Sequence, residues 1–395
     1  MKIKVAVIFG GKSVEHEISI ISAVQAMGYM NCDKYEVIPL YMTKDNTFYT
    51  GQDLTNIEEY KDIPALLKKS TRVILLREEN KVNIVRYPLK KFGSSVIDSI
   101  DVAFPIVHGT NVEDGALQGY LQTLDIPYVG CDVLASAVGM NKYVMKTVFK
   151  DNDIPVLDCC CYNQNDFEDL EGLLNKVEQR FKYPVIVKPI NLGSSVGISK
   201  ASNREKLEDA LTLAFTFSQK VLVEPAIEQL QEVNCAVLGN DLEAQASECE
   251  QPLNGEEILS YEDKYIGGGK KTGPSKGMAS LSRAIPAHIS DEMRETIRTM
   301  AVKAFQVLGC NGVARIDFMI DKATGKVYLN EINTIPGSLS FYLWEPIGVK
   351  YTELLDKMIT LALKRSRENE RLLFSFDTNV LAGVKLGSGA KGSKG

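Results

Sequence analysis

The sequence predicts an α/β protein of two or three domains, and three observations carry that expectation. Apolar runs that read as strands alternate with helical patterns; 395 residues exceed one ordinary core; and 45% hydrophobic with 24% charged residues is a typical globular profile. A net charge of -6 argues against a general nucleic-acid binder, which would normally be basic, while leaving room for local basic sites that hold phosphate. The opening "MKIKVAVIFGG" and every later apolar run are too short for a signal peptide or a membrane span. Eight cysteines include Cys159-Cys160-Cys161 but no CxxC pair, and three histidines make a zinc site an unpromising reading. The cysteines read as reduced core residues of a cytoplasmic protein.

The elements follow in order. "KVAVIFGG" (4–11) is a continuous apolar strand ending in glycines, a helix is expected from Glu17 to Met30, and "YEVIPLYM" is a second strand. Residues 45–100 carry little regular signal. "DVAFPIVHG" (101–109), the helix "DGALQGYLQTL" and the strand "IPYVG" complete a parallel α/β domain over 1–130. A second unit, 131–224, opens with "LASAVGMNKYVMKTVFKDN" and has strands "CCCY", "PVIVKP", "GISKA" and "VLVEPAI", with a helix over 203–218. A third, 225–370, holds "EVNCAVLG", an irregular stretch at 250–285, and the helix "SDEMRETIRTMAVKAFQVLG" with Ser290 as N-cap. The hairpin "VARIDFMI"–"DKATGK"–"VYLNEIN" and a helix over 351–367 follow, and a 371–395 tail ends in the low-complexity "GSGAKGSKG", read as disordered.

In the hairpin, Arg315 and Asp317 share one face by period 2, as do Glu331 and Asn333. A turn over 321–326 sets Asp317 opposite Glu331. Two carboxylates and an amide oxygen beside an arginine suit Mg²⁺ with substrate phosphates; the alternative is the solvated polar face of a two-sided sheet. Lys188 ends the strand "YPVIVKP" and Lys142 lies in "MNKYVMK"; a lysine closing a buried strand is costly unless its charge is used, and phosphate is the natural use. "NLGSSVGIS" after Lys188 suits a flexible cover over phosphate oxygens, or a plain glycine-serine turn. Glu224 and Glu232 are candidates for an adenine amino group and a ribose, each a weak signal because exposed glutamates are common. "AVIFGGKS" fails the P-loop pattern because Ala6 stands where the first glycine is required, and GxGxxG is absent after the first strand.

The ordered set "GGKSVEHEIS", "HGTNVEDGALQG", "MNKYVMK", "VIVKPINLGSSVGIS", "YEDKY", "ARIDFMI" and "NEINTIPG" resembles the D-alanine–D-alanine ligases of the ATP-grasp superfamily over residues 3–365. That resemblance implies an N-terminal Rossmann-like preATP-grasp domain and two α+β domains that sandwich ATP. It implies that ATP phosphorylates one D-amino acid's carboxylate and that a second amine attacks the acyl phosphate. Asp317, Glu331 and Asn333 would hold two Mg²⁺ ions, with Mn²⁺ the substitute ion. Lys142 and Lys188 would contact phosphates, Gly193, Ser194 and Ser195 cover them, and Glu224 and Glu232 bind adenine and ribose. Arg315 and the Gly337 N–H would stabilise the oxyanion, which would explain the break in the strand at Pro336-Gly337. Glu15 would receive the first substrate's ammonium group, linked to Ser194 and Tyr265, with His108 nearby unless it only caps a strand end. Lys264, Tyr342 and Leu343 complete the implied amino-acid site, and a homodimer is implied as well.

Three departures touch the acceptor side. Val112 replaces a glycine of the usual HGxxGEDG, the loop after Tyr265 is longer and more basic, and Phe341-Tyr342 stand where the family places serine. These leave a D-alanine–D-X ligase, with X D-serine or another amino acid, as the alternative product. A nucleotide-binding relative without catalysis is the alternative from another class. Tyr265, rather than phenylalanine, implies amide rather than ester synthesis.

Overall fold

The computed structural model describes residues 2–79, 81–253 and 283–375, with Asn379. Lys264, Tyr265, most of the basic loop and the end of the tail lie outside the described residues.

The first sheet is built on β1 (Ile3–Gly10), flanked in parallel by β2 (Tyr35–Met42) and β7 (Val102–Ile106). Its continuous apolar sequence fits this central position, where both faces are covered; Val5 to Phe9 are fully buried. The uninformative stretch 45–100 proves to extend the sheet. β3 (Phe48–Thr50), β4 (Thr71–Glu78), β5 (Lys81–Arg86) and β6 (Val96–Ile100) add antiparallel neighbours, in the order β6-β5-β4-β3-β2-β1-β7. The sheet is therefore mixed rather than wholly parallel. Strand β4 alternates buried Val73 and Leu75 with exposed Ile74 and Leu76, so its apolar side chains face both ways and blur the period-2 signal. "IPYVG" makes only an isolated parallel bridge, Tyr128 to Ala103. The helix after β1, α1, spans His16–Tyr29.

The second sheet orders β10 (Ser199–Ala201), β9 (Val185–Pro189), β11 (Lys220–Pro225) and β8 (Cys160–Asn163). The third orders β14 (Arg283–Ala284), β13 (Ala244–Pro252), β12 (Leu230–Gly239), β15 (Gly312–Asp321) and β16 (Lys326–Asn333). In the β15–β16 hairpin Asp317 faces Glu331 and Arg315 faces Asn333, the register the turn spacing implies.

Three apolar clusters accompany the three sheets, but their membership crosses the chain order. Helix α2 (Tyr351–Asn369) packs Leu354, Leu355 and Met358 into the first sheet's core, together with Leu339, Leu343 and Trp344. Met145 and Phe149, on the "MNKYVMK" helix α3 (Lys142–Asp151), join the core of the third sheet rather than the second. That core also takes Ile297, Ala301 and Phe305 from the helix Asp291–Val307, where the Ser290 hydroxyl accepts the Met293 N–H at 3.2 Å. Among the described residues no helix is long and apolar enough to cross a membrane.

Candidate active site

A cavity of about 1150 Å³ lies where the three sheets meet, and most of the candidate residues converge on it. Glu15, His108, Lys142, Lys188, Gly193, Ser194, Ser195, Glu224, Glu232, Arg315, Asp317, Glu331, Asn333 and Gly337 all line it. Lys264 and Tyr265 fall outside the described residues. Leu343 is not brought there: it is fully buried in the first core, because the turn after Gly337 directs it inward. Tyr342 is buried, and its hydroxyl reaches Glu250, which does line the cavity.

One row of polar side chains crosses the third sheet. Glu331 on β16, Asp317 on β15, Asn234 on β12 and Glu250 on β13 are paired in register, so all four share one face. Arg315 grips Asp317 with two hydrogen bonds, Nε to Oδ1 at 2.6 Å and Nη2 to Oδ2 at 2.7 Å. The Asn333 amide donates to the same carboxylate at 3.1 Å. Burial pushes the Asp317 carboxyl above its usual range despite Arg315, and Glu331 and Glu250 add to that push.

Opposite this row stand the lysines. Lys142 lies 3.1 Å from Glu331 and donates to the Leu192 carbonyl at 2.8 Å. Lys188 lies 2.5 Å from Glu224 and donates to Asn330 at 3.0 Å. Lys146, one helical turn beyond Lys142, takes the other oxygen of Glu224. Burial works against charge on Glu224, yet the two lysines outweigh it and hold its carboxyl down to about 2. Glu224 is thus ionised with both oxygens engaged by ammonium groups.

On the far wall, Ser194 donates to Glu15 across the glycine-serine loop. A Cβ at Gly193 would stand 2.9 Å from the Glu15 carboxylate, so a side chain there would push that carboxylate aside. Ser194 and Ser195 have φ of 52° and 60°, the left-handed region that side chains enter at a cost.

Sequence reading missed a hydrogen-bond clamp on the turn after β16. His108 donates from Nδ1 to the Ile335 carbonyl at 2.8 Å, which leaves Nε2 to accept from Ser22 at 3.1 Å. The Ser22 oxygen in turn accepts the Ser338 N–H at 3.0 Å. Glu113 accepts the Ile335 N–H at 2.9 Å and the Gly109 N–H at 3.0 Å. Glu113 stands in "HGTNVEDG", a quoted motif, so its type and position were available; nothing local marks Ser22 or Glu250. The clamp holds three consecutive non-glycine residues, Ser338, Leu339 and Ser340, at φ near +50°.

Two departures are explained here. Val112 is fully buried against Gly11, where an added Cβ would meet it at 2.5 Å, so it fills core space rather than the substrate loop. Phe341 turns away from the cavity and stacks on Tyr351 with ring centres 4.5 Å apart.

Comparison with known proteins agrees with this geometry. The family description "D-ala D-ala ligase N-terminus" matches residues 4–131, and "D-ala D-ala ligase C-terminus" matches residues 148–360. The chain belongs to the D-alanine–D-alanine ligase family. It is 44% identical over 382 residues to the D-alanine–D-alanine ligase of Acetivibrio thermocellus, covering 93% of this chain and 98% of that one. Solved structures similar to it include the D-alanine–D-alanine ligase of Coxiella burnetii, with TM-score 0.76 and 29% identity over 93% of this chain and 97% of that one. The VanG D-Ala:D-Ser ligase of Enterococcus faecalis is similar at TM-score 0.75 and 30% identity, over 92% of this chain and 100% of that one. The fold is accordingly that of the ATP-grasp ligases, and the protein is an ATP-dependent ligase.

Proposed function

We propose that this enzyme joins two D-alanines at the expense of ATP, through an acyl phosphate, to supply the dipeptide for peptidoglycan precursors. The observation that carries the reading is one cavity in which Lys142, Lys188 and Arg315 each pair with a buried or half-buried acid. The D-serine alternative is disfavoured, since relatives 37–44% identical over nearly the whole chain are named D-alanine–D-alanine ligases.

Glu15 binds the donor's ammonium group, and Ser194 fixes the Glu15 carboxylate in direction. The donor carboxylate oxygen attacks the γ-phosphorus of ATP and ADP leaves, giving the acyl phosphate. Lys142 and Lys188 exchange their carboxylate partners for phosphate oxygens as nucleotide binds. Gly193, Ser194 and Ser195 cover the phosphates, Glu232 takes the ribose, and Glu224 lies on the adenine side. The acceptor amine then attacks the acyl carbon, with Arg315 and the Gly337 N–H facing the oxyanion. The C–O bond to phosphate breaks, inorganic phosphate leaves, and the amine nitrogen loses a proton. His108 stays neutral and holds the turn that carries Gly337.

The donors at Asp317, Glu331 and Asn333 fit Mg²⁺: hard oxygens on facing strands, too few for a closed protein cage and so suited to sharing the ion with phosphates. When bound, the two ions neutralise phosphate charge; Mn²⁺, with the same oxygen preference, would substitute.

The enzyme is further read as a cytoplasmic homodimer; a light-scattering mass of one 43.7 kDa chain would refute the dimer. The deciding experiment measures phosphate release from ATP and Mg²⁺ with D-alanine, L-alanine, or D-alanine mixed with other D-amino acids, identifying products by mass. Release with D-alanine alone, yielding the dipeptide and abolished by EDTA, is expected. Release only with a mixed pair would overturn the acceptor assignment.

A further inference from the structure

Next to the adenine side of the cavity lies a buried cation to which the reaction as described gives no task. Lys146 is 3% exposed and Glu224 1%. Glu224 Oε2 accepts from the Lys146 ammonium group, which also donates to the Leu157 carbonyl at 3.5 Å, while Lys188 lies 2.5 Å from Oε1. Lys188 and Glu224 line the cavity, whereas Lys146 meets Glu224 from outside its wall.

One ammonium group neutralises a carboxylate, so two on Glu224 need a reason. The two lysines are held differently. Lys188 pairs in register with Leu222, two residues from Glu224, so both charges stand on one face of the second sheet. Its ammonium group also reaches Asn330 at 3.0 Å, next to Glu331 on the phosphate side. Lys146 belongs to α3, whose Met145 and Phe149 sit in the third core. When Lys188 turns to a phosphate oxygen, Glu224 Oε1 loses its partner while the carboxylate stays enclosed. An uncompensated buried carboxylate would take up a proton or draw Lys188 back. With Lys146 in place neither follows: Oε2 stays ion-paired and Oε1 becomes an acceptor. An ionised carboxylate accepts only, so it pairs with the 6-amino group of adenine and repels the carbonyl oxygen that inosine and guanine carry there. Leu157, Ile186, Pro225 and Ala226 add apolar cavity wall suited to a base.

We propose that Lys146 is a positioning residue for the nucleotide, holding Glu224 ionised and fixed while Lys188 moves to phosphate, and that it thereby makes the site select a base with an exocyclic amino group over one with a carbonyl. This rests on the ligase reading above and on its placement of adenine at Glu224. Lys146 acts through Glu224 and touches no substrate itself.

The test compares wild type with Lys146→Met, Lys146→Arg, Glu224→Gln and the double variant Lys146→Met with Glu224→Gln. It reads KM and kcat for ATP and for inosine triphosphate by phosphate release, with D-alanine and Mg²⁺ saturating. Wild type should favour ATP by at least about 10-fold in kcat/KM. Lys146→Met should raise the ATP KM about 10- to 100-fold, the worth of a hydrogen bond to a charged group, with the inosine triphosphate KM within about 3-fold and kcat falling less than KM rises. Lys146→Arg returns the cation and should restore most of the preference. In the Glu224→Gln background Lys146→Met should move neither KM by more than about 2-fold, because the carboxylate it acts through is gone. If Lys146→Met alone does not fold, the comparison of Glu224→Gln with the double variant carries the test. Equal rises for the two nucleotides, a wild type indifferent to the base, or a Lys146→Met effect that persists in full without Glu224 overturns the inference while leaving the ligase reading intact. A wild-type enzyme that makes no dipeptide with either nucleotide overturns the ligase reading itself.

Discussion

His108 and Glu113 lie on either side of the backbone at Ile335, and burial moves them in opposite directions. Burial, with help from Arg315, pushes the His108 ring down to about 4, while burial and Glu15 push the Glu113 carboxyl up to about 7. A depressed histidine contributes stability that is present above its unfolded value, near 6.5, and is lost as pH falls through about 4. A raised carboxyl contributes stability that is present below about 4.5 and is lost as pH rises through about 7. Each shift corresponds to about 3 kcal/mol, and between pH 4.5 and 6.5 the two slopes cancel. His108→Gln should therefore gain stability relative to wild type on going from pH 7 to 4.5, and Glu113→Gln should lose it, in urea titrations at each pH. Three parallel curves would show that neither group is buried as described. Glu331→Gln is a different kind of change, since it removes a charge from the proposed metal site without removing core volume. Turnover should fall by at least about 100-fold with the melting temperature within a few degrees; near-normal phosphate release would make the metal assignment wrong.

The turn from Thr334 to Ser340 is the element on which the site depends. Left-handed conformations at three consecutive L-residues cost roughly 1–2 kcal/mol each, so surrounding contacts must hold them. Ser22 on α1 is the shared contact, donating to His108 and accepting from Ser338. Ser22→Ala should cost about 1–3 kcal/mol in denaturant stability and reduce kcat more than it raises either KM, because it loosens the turn that aims the Gly337 N–H. An unchanged kcat would show that the turn is held without Ser22. The lysine-bearing helix α3 is fixed differently: Lys142, Met145, Lys146 and Phe149 share its buried face, where Met145 and Phe149 sit in the third core while Lys142 lines the cavity and Lys146 reaches Glu224.

Across the whole molecule the cores interlock. Helix α2, near the end of the described chain, closes the core of a sheet whose first strand starts at Ile3, and Arg365 on it donates to the carbonyls of Tyr128 and Gly130. A cavity at Leu354, fully buried there, should therefore destabilise the N-terminal sheet across more than 300 residues of sequence. Leu354→Ala is expected to cost about 2–5 kcal/mol and to lower hydrogen-exchange protection in β1 and β7 along with α2. Protection lost in α2 alone would show that the first core stands without it.

Much of this was legible in residue order alone. Period 2 in the 312–333 hairpin placed Asp317 opposite Glu331, and Lys188 at the end of an apolar strand pointed to a use for its charge. Both signals are local, because strand alternation and turn length act over a few residues. Residues 45–100 were not legible: β4 turns apolar side chains to both faces, which hides the alternation that marks a strand. Val112, Phe341 and Leu343 read as substrate-side residues and lie in or against the core instead, since which way they face depends on helices and strands distant in sequence. Ser22 and Glu250 carried no local signal at all. By itself the sequence determined the register of the 312–333 hairpin and marked Lys142 and Lys188 as lysines with a use for their charge. Only the tertiary structure decided which acids pair with which cations, and which side chains orient the turn at Gly337, because those contacts join residues up to 316 positions apart.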